Sequence, residues 1–315
     1  MPKILITGGA GFIGSRIAEK LISDTKNFVV IVDDLSTGDK GKLPKLPTTN
    51  WRFIKCDVNV FVDMAPIMTS YQFDYVFHLA ALVGVIRTQE NPVKVLKDID
   101  GIKNILSLSK NTTVKRIFFS SSSEIYGDPV EIPQNVYTTP LNSRLPYAIV
   151  KNVGEAYMRS YKQEFDLDFT IFRFFNTYGP KQSKDFVISK FILAALKNDD
   201  ITIYGDGSQT RTFCYIDDNV DACLKTFYDN QFLNDVINIG GNREVTILEL
   251  AEIIIKATSS KSKIVHVEPL KEGDMKRRQP DNSDMKLLLG RELIVVEDGI
   301  KRVLEEGLFE LKENN

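Results

Sequence analysis

The strongest constraint on this chain is a glycine-rich turn set between an apolar run and an amphipathic one near its start. Lys3-Ile4-Leu5-Ile6-Thr7 has the length and apolar content of a buried strand. It runs into Gly8-Gly9-Ala10-Gly11-Phe12-Ile13-Gly14, and Ile13, Ile17 and Leu21 then recur at helical spacing as far as about Ser23. Glycines here allow a tight turn, let backbone amides approach a pyrophosphate, and let the helix pack close to the strand. The N-terminal end of that helix, with free amides and the positive end of its dipole, favours negative charge. Gly8, Gly11, Phe12, Ile13 and Gly14 are therefore the expected cradle of a dinucleotide.

A second strand, Phe28-Val29-Val30-Ile31-Val32, ends at Asp33-Asp34. Asp33 lies 19 residues past Gly14, where an acidic side chain accepts hydrogen bonds from ribose hydroxyls. A 2′-phosphate would meet a carboxylate at that point, and Leu35-Ser36-Thr37-Gly38 offers no arginine to neutralise it. NAD is favoured over NADP.

Strand-like and helix-like segments keep alternating through the first half. Residues 52–55, 74–79 and 115–119 read as strands, and a helix over 92–110 carries Val95, Ile99, Ile102, Ile105 and Leu106 on one side. That order is the α/β pattern of a Rossmann-type, doubly wound parallel sheet. Ligands of such sheets bind at the carboxyl ends of the strands. The glycine loop, Asp33, the Cys56-Asp57-Val58 segment, Leu79-Ala80-Ala81 and Ser122 all fall at those ends. The rhythm loosens after about residue 175. Residues 1–175 are expected to form the NAD-binding domain, and residues 176–315 a smaller C-terminal substrate-binding lobe that shares its core. The polar end, residues 312–315, is expected to fray.

Two further segments carry chemistry. Ser120-Ser121-Ser122-Ser123-Glu124-Ile125-Tyr126-Gly127 follows a strand, and Tyr147-Ala148-Ile149-Val150-Lys151 lies about 25 residues on. Tyr and Lys four positions apart on a helix share a face, so the ammonium can sit beneath the phenol. A nearby cation favours phenolate and lowers a pKa otherwise near 10. Tyr147 is then a usable base, Ser122 shares the substrate oxygen, and Glu124 adds a carboxylate for a second proton. Together they suit removal of a hydroxyl proton while a hydride leaves the carbon.

Composition narrows the alternatives. Formal net charge is −2, so no basic surface argues for nucleic acid or an anionic membrane. Cys56, Cys214 and Cys223 lack metal-ligand spacing, and no metal is expected. No basic and apolar leader opens the chain, and no apolar stretch approaches the roughly 18 residues of a membrane helix. A reducing cytoplasm is the expected location.

The chain resembles an extended short-chain dehydrogenase/reductase of the NAD-dependent epimerase/dehydratase group that acts on nucleotide sugars. The resemblance covers nearly the whole length. It rests on Thr7–Gly14, Asp57-Val58, His78-Leu79-Ala80-Ala81, the Ser-Ser-Ser-Glu-Ile-Tyr-Gly run and Tyr147-x-x-x-Lys151. It continues in Arg173-Phe174-Phe175-Asn176-Thr177-Tyr178-Gly179-Pro180, in the Gly205–Arg211 run, and in Lys276-Arg277-Arg278-Gln279-Pro280-Asp281. It implies that Ser122, Tyr147 and Lys151 oxidise a sugar at C4, and that Asp57 and Val58 hold adenine. Leu79, Ala80 and Ala81 would line the cofactor, and Lys151 would also bind the nicotinamide ribose. Ser122 and Ser123 would meet the substrate, and Asn176, Arg211 and Arg278 its diphosphate, which suits the guanidinium fork.

Such enzymes share a 4-keto intermediate and then diverge. Ser122-Ser123-Glu124 and the run from Gly207 to Tyr215 are similar to UDP-glucuronate decarboxylases, and the triplet also to GDP-mannose dehydratases. By contrast, Leu82-Val83-Gly84-Val85-Ile86-Arg87-Thr88 resembles the epimerase loop, and Asn152 stands where decarboxylases generally carry arginine. Asp98 occupies a helix position that commonly holds Asn. The expectation is a UDP-hexose or UDP-hexuronate 4-epimerase, with decarboxylation or 4,6-dehydration as the alternative. A non-catalytic NAD-binding sensor is the remote one, since such proteins often lose the Tyr or Lys. A homodimer is expected through the helices near 92–110 and from Tyr147, where Val153, Ala156, Tyr157, Ser160 and Tyr161 supply apolar surface. His78 and His266 read as structural residues. Trp51 and the pairs Phe118-Phe119 and Phe174-Phe175 read as core.

Overall fold

A computed structural model describes residues 1–269 and 277–308. Lys276 and the polar end at 312–315 lie outside the described residues. The chain forms two compact units: residues 1–125, 143–173 and 223–237 make the first, and residues 126–142, 174–222 and 238–315 the second.

The strands among the described residues are β1 (Lys3–Thr7), β2 (Phe28–Asp33), β3 (Trp51–Lys55), β4 (Tyr75–His78), β5 (Arg116–Ser122) and β6 (Asp168–Phe174). After them come β7 (Thr177–Tyr178), β8 (Ile201–Tyr204), β9 (Thr210–Thr212), β10 (Cys214–Tyr215), β11 (Asp235–Ile239), β12 (Glu244–Thr246) and β13 (Ile264–Val267). The helices that begin before residue 166 are α1 (Phe12–Ser23), α2 (Phe61–Tyr71), α3 (Val85–Glu90), α4 (Pro92–Leu96), α5 (Asp98–Lys110) and α6 (Pro146–Phe165). The later ones are α7 (Val187–Lys197), α8 (Ile216–Tyr228), α9 (Ile247–Thr258), α10 (Ser283–Leu289) and α11 (Val296–Glu306).

Seven strands make one parallel sheet in the order β3-β2-β1-β4-β5-β6-β11, with helices flanking it. This is the doubly wound α/β architecture expected from the sequence. Its strands read as continuous apolar runs because both faces are covered. Ile4, Leu5, Ile6, Val29, Val30, Ile31, Val76, Phe77, Ile117 and Phe118 are all fully buried. Each such side chain stabilises the fold by about 1.5–3 kcal/mol relative to exposure. Register then sets the working edge. Thr7 pairs with Val32 on one side and His78 on the other, Val32 pairs with Ile54, and His78 pairs with Phe119. The residues that follow these positions therefore emerge together: Gly8, Asp33, Asp57, Leu79 and Ser122.

Three details depart from the expectations. The helix over 92–110 is two helices, α4 and α5, which meet at Lys97. The β5 strand runs on through Ser120, Ser121 and Ser122, all buried, so these serines are the strand end rather than a loop after it. Trp51 is half-buried instead of being a core residue, because β3 is an edge strand of the sheet.

The second unit is built from short ladders. β7 pairs with β10 and β8 with β13 in parallel, while β9 and β12 are antiparallel. His266 is a strand residue on β13, its ring nitrogen 2.9 Å from the Gly205 carbonyl. Phe175 is fully buried and meets Tyr126 ring to ring. Among the described residues no helix is long and apolar enough to cross a membrane.

Candidate active site

The glycine loop is held by close approach. Gly8 has φ +69°, and a Cβ there would come within 2.7 Å of the Ala80 nitrogen. A Cβ on Gly14 would lie 2.4 Å from the Gly8 carbonyl oxygen, so α1 can begin against the turn only without one. Thr7 completes the junction. Its Oγ1 accepts the Leu79 and Ala80 amides, both at 3.2 Å, and lies 2.8 Å from His78 Nδ1. With its lone pairs engaged, the Thr7 hydroxyl donates to Nδ1, which makes His78 a neutral acceptor. Burial agrees, pushing the His78 pKa down to about 3. His78 is thus a structural residue that fixes Leu79 and Ala80 under the loop.

Asp33 is buried at the end of β2. It accepts the Ala10 amide at 3.0 Å and the Leu35 amide at 2.9 Å, one on each carboxylate oxygen. Loss of solvent raises its pKa, while these two amides and the charge of Lys42 oppose that rise. Leu35 has φ 64°, a strained conformation for a branched side chain, held by the Asp33 carboxylate. Each Asp33 oxygen keeps acceptor capacity for a ribose hydroxyl. Lys42, buried beside it, was not singled out in the sequence, because nothing in a Lys-Gly-Lys run shows which lysine turns inward.

After β3, Asp57 accepts the Asn59 amide at 2.9 Å, and Asn104 donates to the Val58 carbonyl at 2.9 Å. Val58 is buried, and Asp57, Leu79, Ala80 and Ala81 are half-buried along the same sheet edge. A glycine cradle, a carboxylate with open acceptor positions and a small-residue wall fit NAD.

The chemistry-bearing groups of the first unit sit on β5 and α6. Pro146 starts α6 after an extended Leu145, which places Tyr147 in its first turn and Lys151 one turn on. A Cβ on Gly154 would lie 2.3 Å from the Phe119 ring, so its absence lets α6 lie directly on β5. Lys151 is buried. Its Nζ stands 5.2 Å from the centre of the Phe119 ring and 5.6 Å from that of Tyr147, and it donates to Ser120 Oγ at 3.4 Å. Burial pushes its pKa down to about 8, with Asp98 pulling the other way. Ser122 is buried, and its Oγ accepts the Glu124 amide at 3.2 Å. Ser123 is buried and Glu124 half-buried in the 3-10 turn that follows. A phenol over a buried ammonium, with a serine at the adjoining strand end, can take a proton from an alcohol and return it.

In the second unit, Arg211 and Arg278 are both buried, and Glu244 ties their segments together. Glu244 on β12 holds Arg277 through two hydrogen bonds, 2.7 and 2.6 Å, and accepts the Thr210 hydroxyl at 2.9 Å. Arg211 follows Thr210 on β9, across from Val245. Arg277 is thus committed to Glu244 at the surface while Arg278 turns inward. Asn176 donates to the Thr212 carbonyl at 3.3 Å, beside the β7–β10 ladder. Two buried guanidinium groups and a carboxamide in one unit suit an anionic ligand such as a diphosphate.

Residues 4–240 match the NAD dependent epimerase/dehydratase family. The chain belongs to that family: it is an NAD-dependent enzyme of the nucleotide-sugar epimerases, decarboxylases and dehydratases, and its cofactor is NAD. It is 37% identical over 300 residues to UDP-glucuronic acid decarboxylase 3 of Arabidopsis thaliana, covering 92% of this chain and 84% of that one. It is 35% identical over 308 residues to a putative UDP-glucose 4-epimerase of Methanocaldococcus jannaschii, covering 96% and 97%. The UDP-glucose 4-epimerase of Thermotoga maritima, solved with UDP-glucose, has a TM-score of 0.90 at 32% identity, covering 99% of this chain and 100% of that one.

Proposed function

We propose that the protein is a UDP-sugar 4-epimerase acting on a UDP-hexose or UDP-hexuronate through a 4-keto intermediate. The observation that carries this reading is end-to-end correspondence with the Thermotoga maritima epimerase, in sequence and in fold. Support also comes from Asn152, exposed and uncharged next to Lys151, where the decarboxylase pattern has arginine.

In this reading Tyr147 takes the proton from the sugar's C4 hydroxyl and later gives it back. Lys151 favours the phenolate that can do so, and Ser122 orients the C4 oxygen. NAD, held by the glycine loop, Asp33, Asp57, Val58 and Leu79–Ala81, supplies the hydride acceptor and donor when bound. Asn176, Arg211 and Arg278 hold the diphosphate, so that the sugar can turn between its two faces without being released. Residues 1–175 carry cofactor and chemistry, and residues 176–315 most of the nucleotide-sugar contacts.

Decarboxylation of a UDP-hexuronate is the second reading, favoured by the Arabidopsis relative and by the Ser122-Ser123-Glu124 triplet. Incubation with UDP-glucose, UDP-galactose and UDP-glucuronate, read by mass spectrometry and proton NMR, tests both. Unchanged mass with inverted C4 configuration is the expected result. Loss of carbon dioxide or water overturns it. Tyr147→Phe should fold and bind NAD yet lose at least about two orders of magnitude in rate.

A further inference from the structure

Arg278 lies between two fixed points of the second unit. On one side the Arg277 guanidinium is tied to Glu244. On the other, buried Gln134 grips the chain just beyond. Its amide donates to the Gln279 carbonyl at 2.7 Å, and its carbonyl accepts the Asp281 amide at 2.8 Å. These bonds make an isolated bridge at Pro280, outside any strand, so its hold depends on the side chains around it. Asn238, buried near the end of β11, provides that support. Its Nδ2 donates to the same Gln134 carbonyl at 2.8 Å and to the Asp281 carbonyl at 3.3 Å. The Tyr126 hydroxyl donates to Asn238 Oδ1 at 2.8 Å, which keeps the amino end of the carboxamide toward the two carbonyls. Asn135 Nδ2 bonds Asp281 Oδ2 at 3.0 Å, and Asn282 Nδ2 reaches the Gly240 carbonyl at 2.8 Å. A Cβ on Gly240 would lie 2.8 Å from Pro280 Cγ, so the main chain packs directly on the bridge.

We propose that Asn238 is a positioning residue for Arg278. It locks Gln134 to residues 279–281 and so fixes the main chain from which the buried guanidinium meets the diphosphate of a nucleotide sugar. This rests on reading Arg278 as a diphosphate-binding group. Asn238 acts only through the backbone that follows Arg278. A guanidinium pairs with phosphate oxygens in a fixed planar fork, so its grip is sensitive to where its main chain sits. A carboxamide that merely held a loop together would add to stability and leave ligand affinity alone.

Calorimetry of UDP binding to the NAD-loaded full chain tests this in a double-mutant cycle. Asn238→Asp keeps the acceptor for Tyr126 and puts an oxygen where the amino group faced the two carbonyls. It should weaken UDP about tenfold, the scale of one hydrogen bond to a charged group. Arg278→Ala should weaken UDP at least as much. In the Arg278→Ala background, Asn238→Asp should cost less than about twofold more. NAD affinity should stay unchanged in every variant. An equal loss in both backgrounds overturns the proposal, since Asn238 would then act apart from Arg278. UDP affinity that Arg278→Ala weakens and Asn238→Asp leaves unmoved also overturns it, while the role of Arg278 stands. A parallel fall in NAD affinity does the same, because general loosening would be the cause. If Asn238→Asp does not fold, Asn135→Ala, at a half-buried position, enters the same cycle. A loss of UDP affinity that needs Arg278 supports the proposal, and no loss or an equal loss in both backgrounds overturns it. Unchanged UDP affinity in Arg278→Ala removes the reading of Arg278 and the proposal together.

Discussion

Glu155 and Arg173 form a two-point ion pair inside the first unit, Arg173 Nε to Oε1 at 2.9 Å and a terminal nitrogen to Oε2 at 2.7 Å. Both side chains are almost fully buried, and Ser121 donates to the same Oε1 at 2.6 Å. Glu155 lies one turn beyond Lys151 on α6, Ser121 precedes Ser122 on β5, and Arg173 is on β6. One carboxylate therefore fixes the helix that bears Tyr147 against the strand that bears Ser122. Removing one partner of a buried pair leaves an uncompensated charge, at a cost of about 3–5 kcal/mol. Glu155→Ala should lose that much in denaturant unfolding. A loss near zero would mean that the pair holds nothing in place.

Glu124 separates the two reactions. In an epimerase the 4-keto sugar only turns and takes its hydride back, so Glu124→Gln should slow turnover less than tenfold, about 1.4 kcal/mol of barrier. A decarboxylase or dehydratase has a further proton to move after C4 oxidation. In that case the variant should stall with a 4-keto sugar and reduced cofactor accumulated while its melting curve stays unchanged.

Asp33 predicts cofactor choice. NADP would place a phosphate against a buried carboxylate, a like-charge clash. Calorimetry should show NADP binding much more weakly than NAD. Equal affinities would assign Lys42 a larger part than Asp33 at that position.

His78 makes the fold acid-sensitive. Its folded pKa is depressed to about 3, below the free value near 6.5. As pH falls through that window the unfolded chain takes a proton that the folded chain refuses, so stability is lost on acidification. The slope from this group is about 1.4 kcal/mol per pH unit. His78→Asn keeps an acceptor for the Thr7 hydroxyl and should flatten the acid side of the stability curve by that amount. An unchanged slope between about pH 6 and 4 would show that His78 is not held neutral.

The outer faces of α4 and α6 predict assembly. Val93, Leu96, Ile149 and Phe165 are exposed there, and Tyr157, Tyr161 and Phe165 form a ladder with ring centres 6.4 and 5.1 Å apart. We expect a two-fold homodimer through these helices. Light scattering at micromolar concentration should give twice the chain mass, and Val93→Glu with Ile149→Glu should halve it. A monomeric wild type would rule the interface out.

Much of the first unit was legible because its determinants are local. A strand, a glycine turn, a helix and a terminal acid follow one another within 33 residues, and backbone geometry together with apolar periodicity fixes each of them. Tyr147 and Lys151 were readable for the same reason, since helical spacing alone puts them on one face. The split of the 92–110 helix at Lys97 and the run of β5 into the serines were not. Both depend on which neighbours bury those residues, and spacing carries no record of that.

By itself, then, the sequence determined the order of elements, the glycine turn and the shared helix face of Tyr147 and Lys151, all properties of neighbours along the chain. Only the tertiary structure decided what surrounds them. It set Asp98 to accept the Leu82 amide, made His78 a neutral brace, joined Glu155 to Arg173 and Ser121, and turned Arg278 inward while Glu244 holds Arg277. Each of these joins residues remote in sequence. Charge and hydrogen bonding act through space, and desolvation, which sets their strength, exists only once the chain has folded.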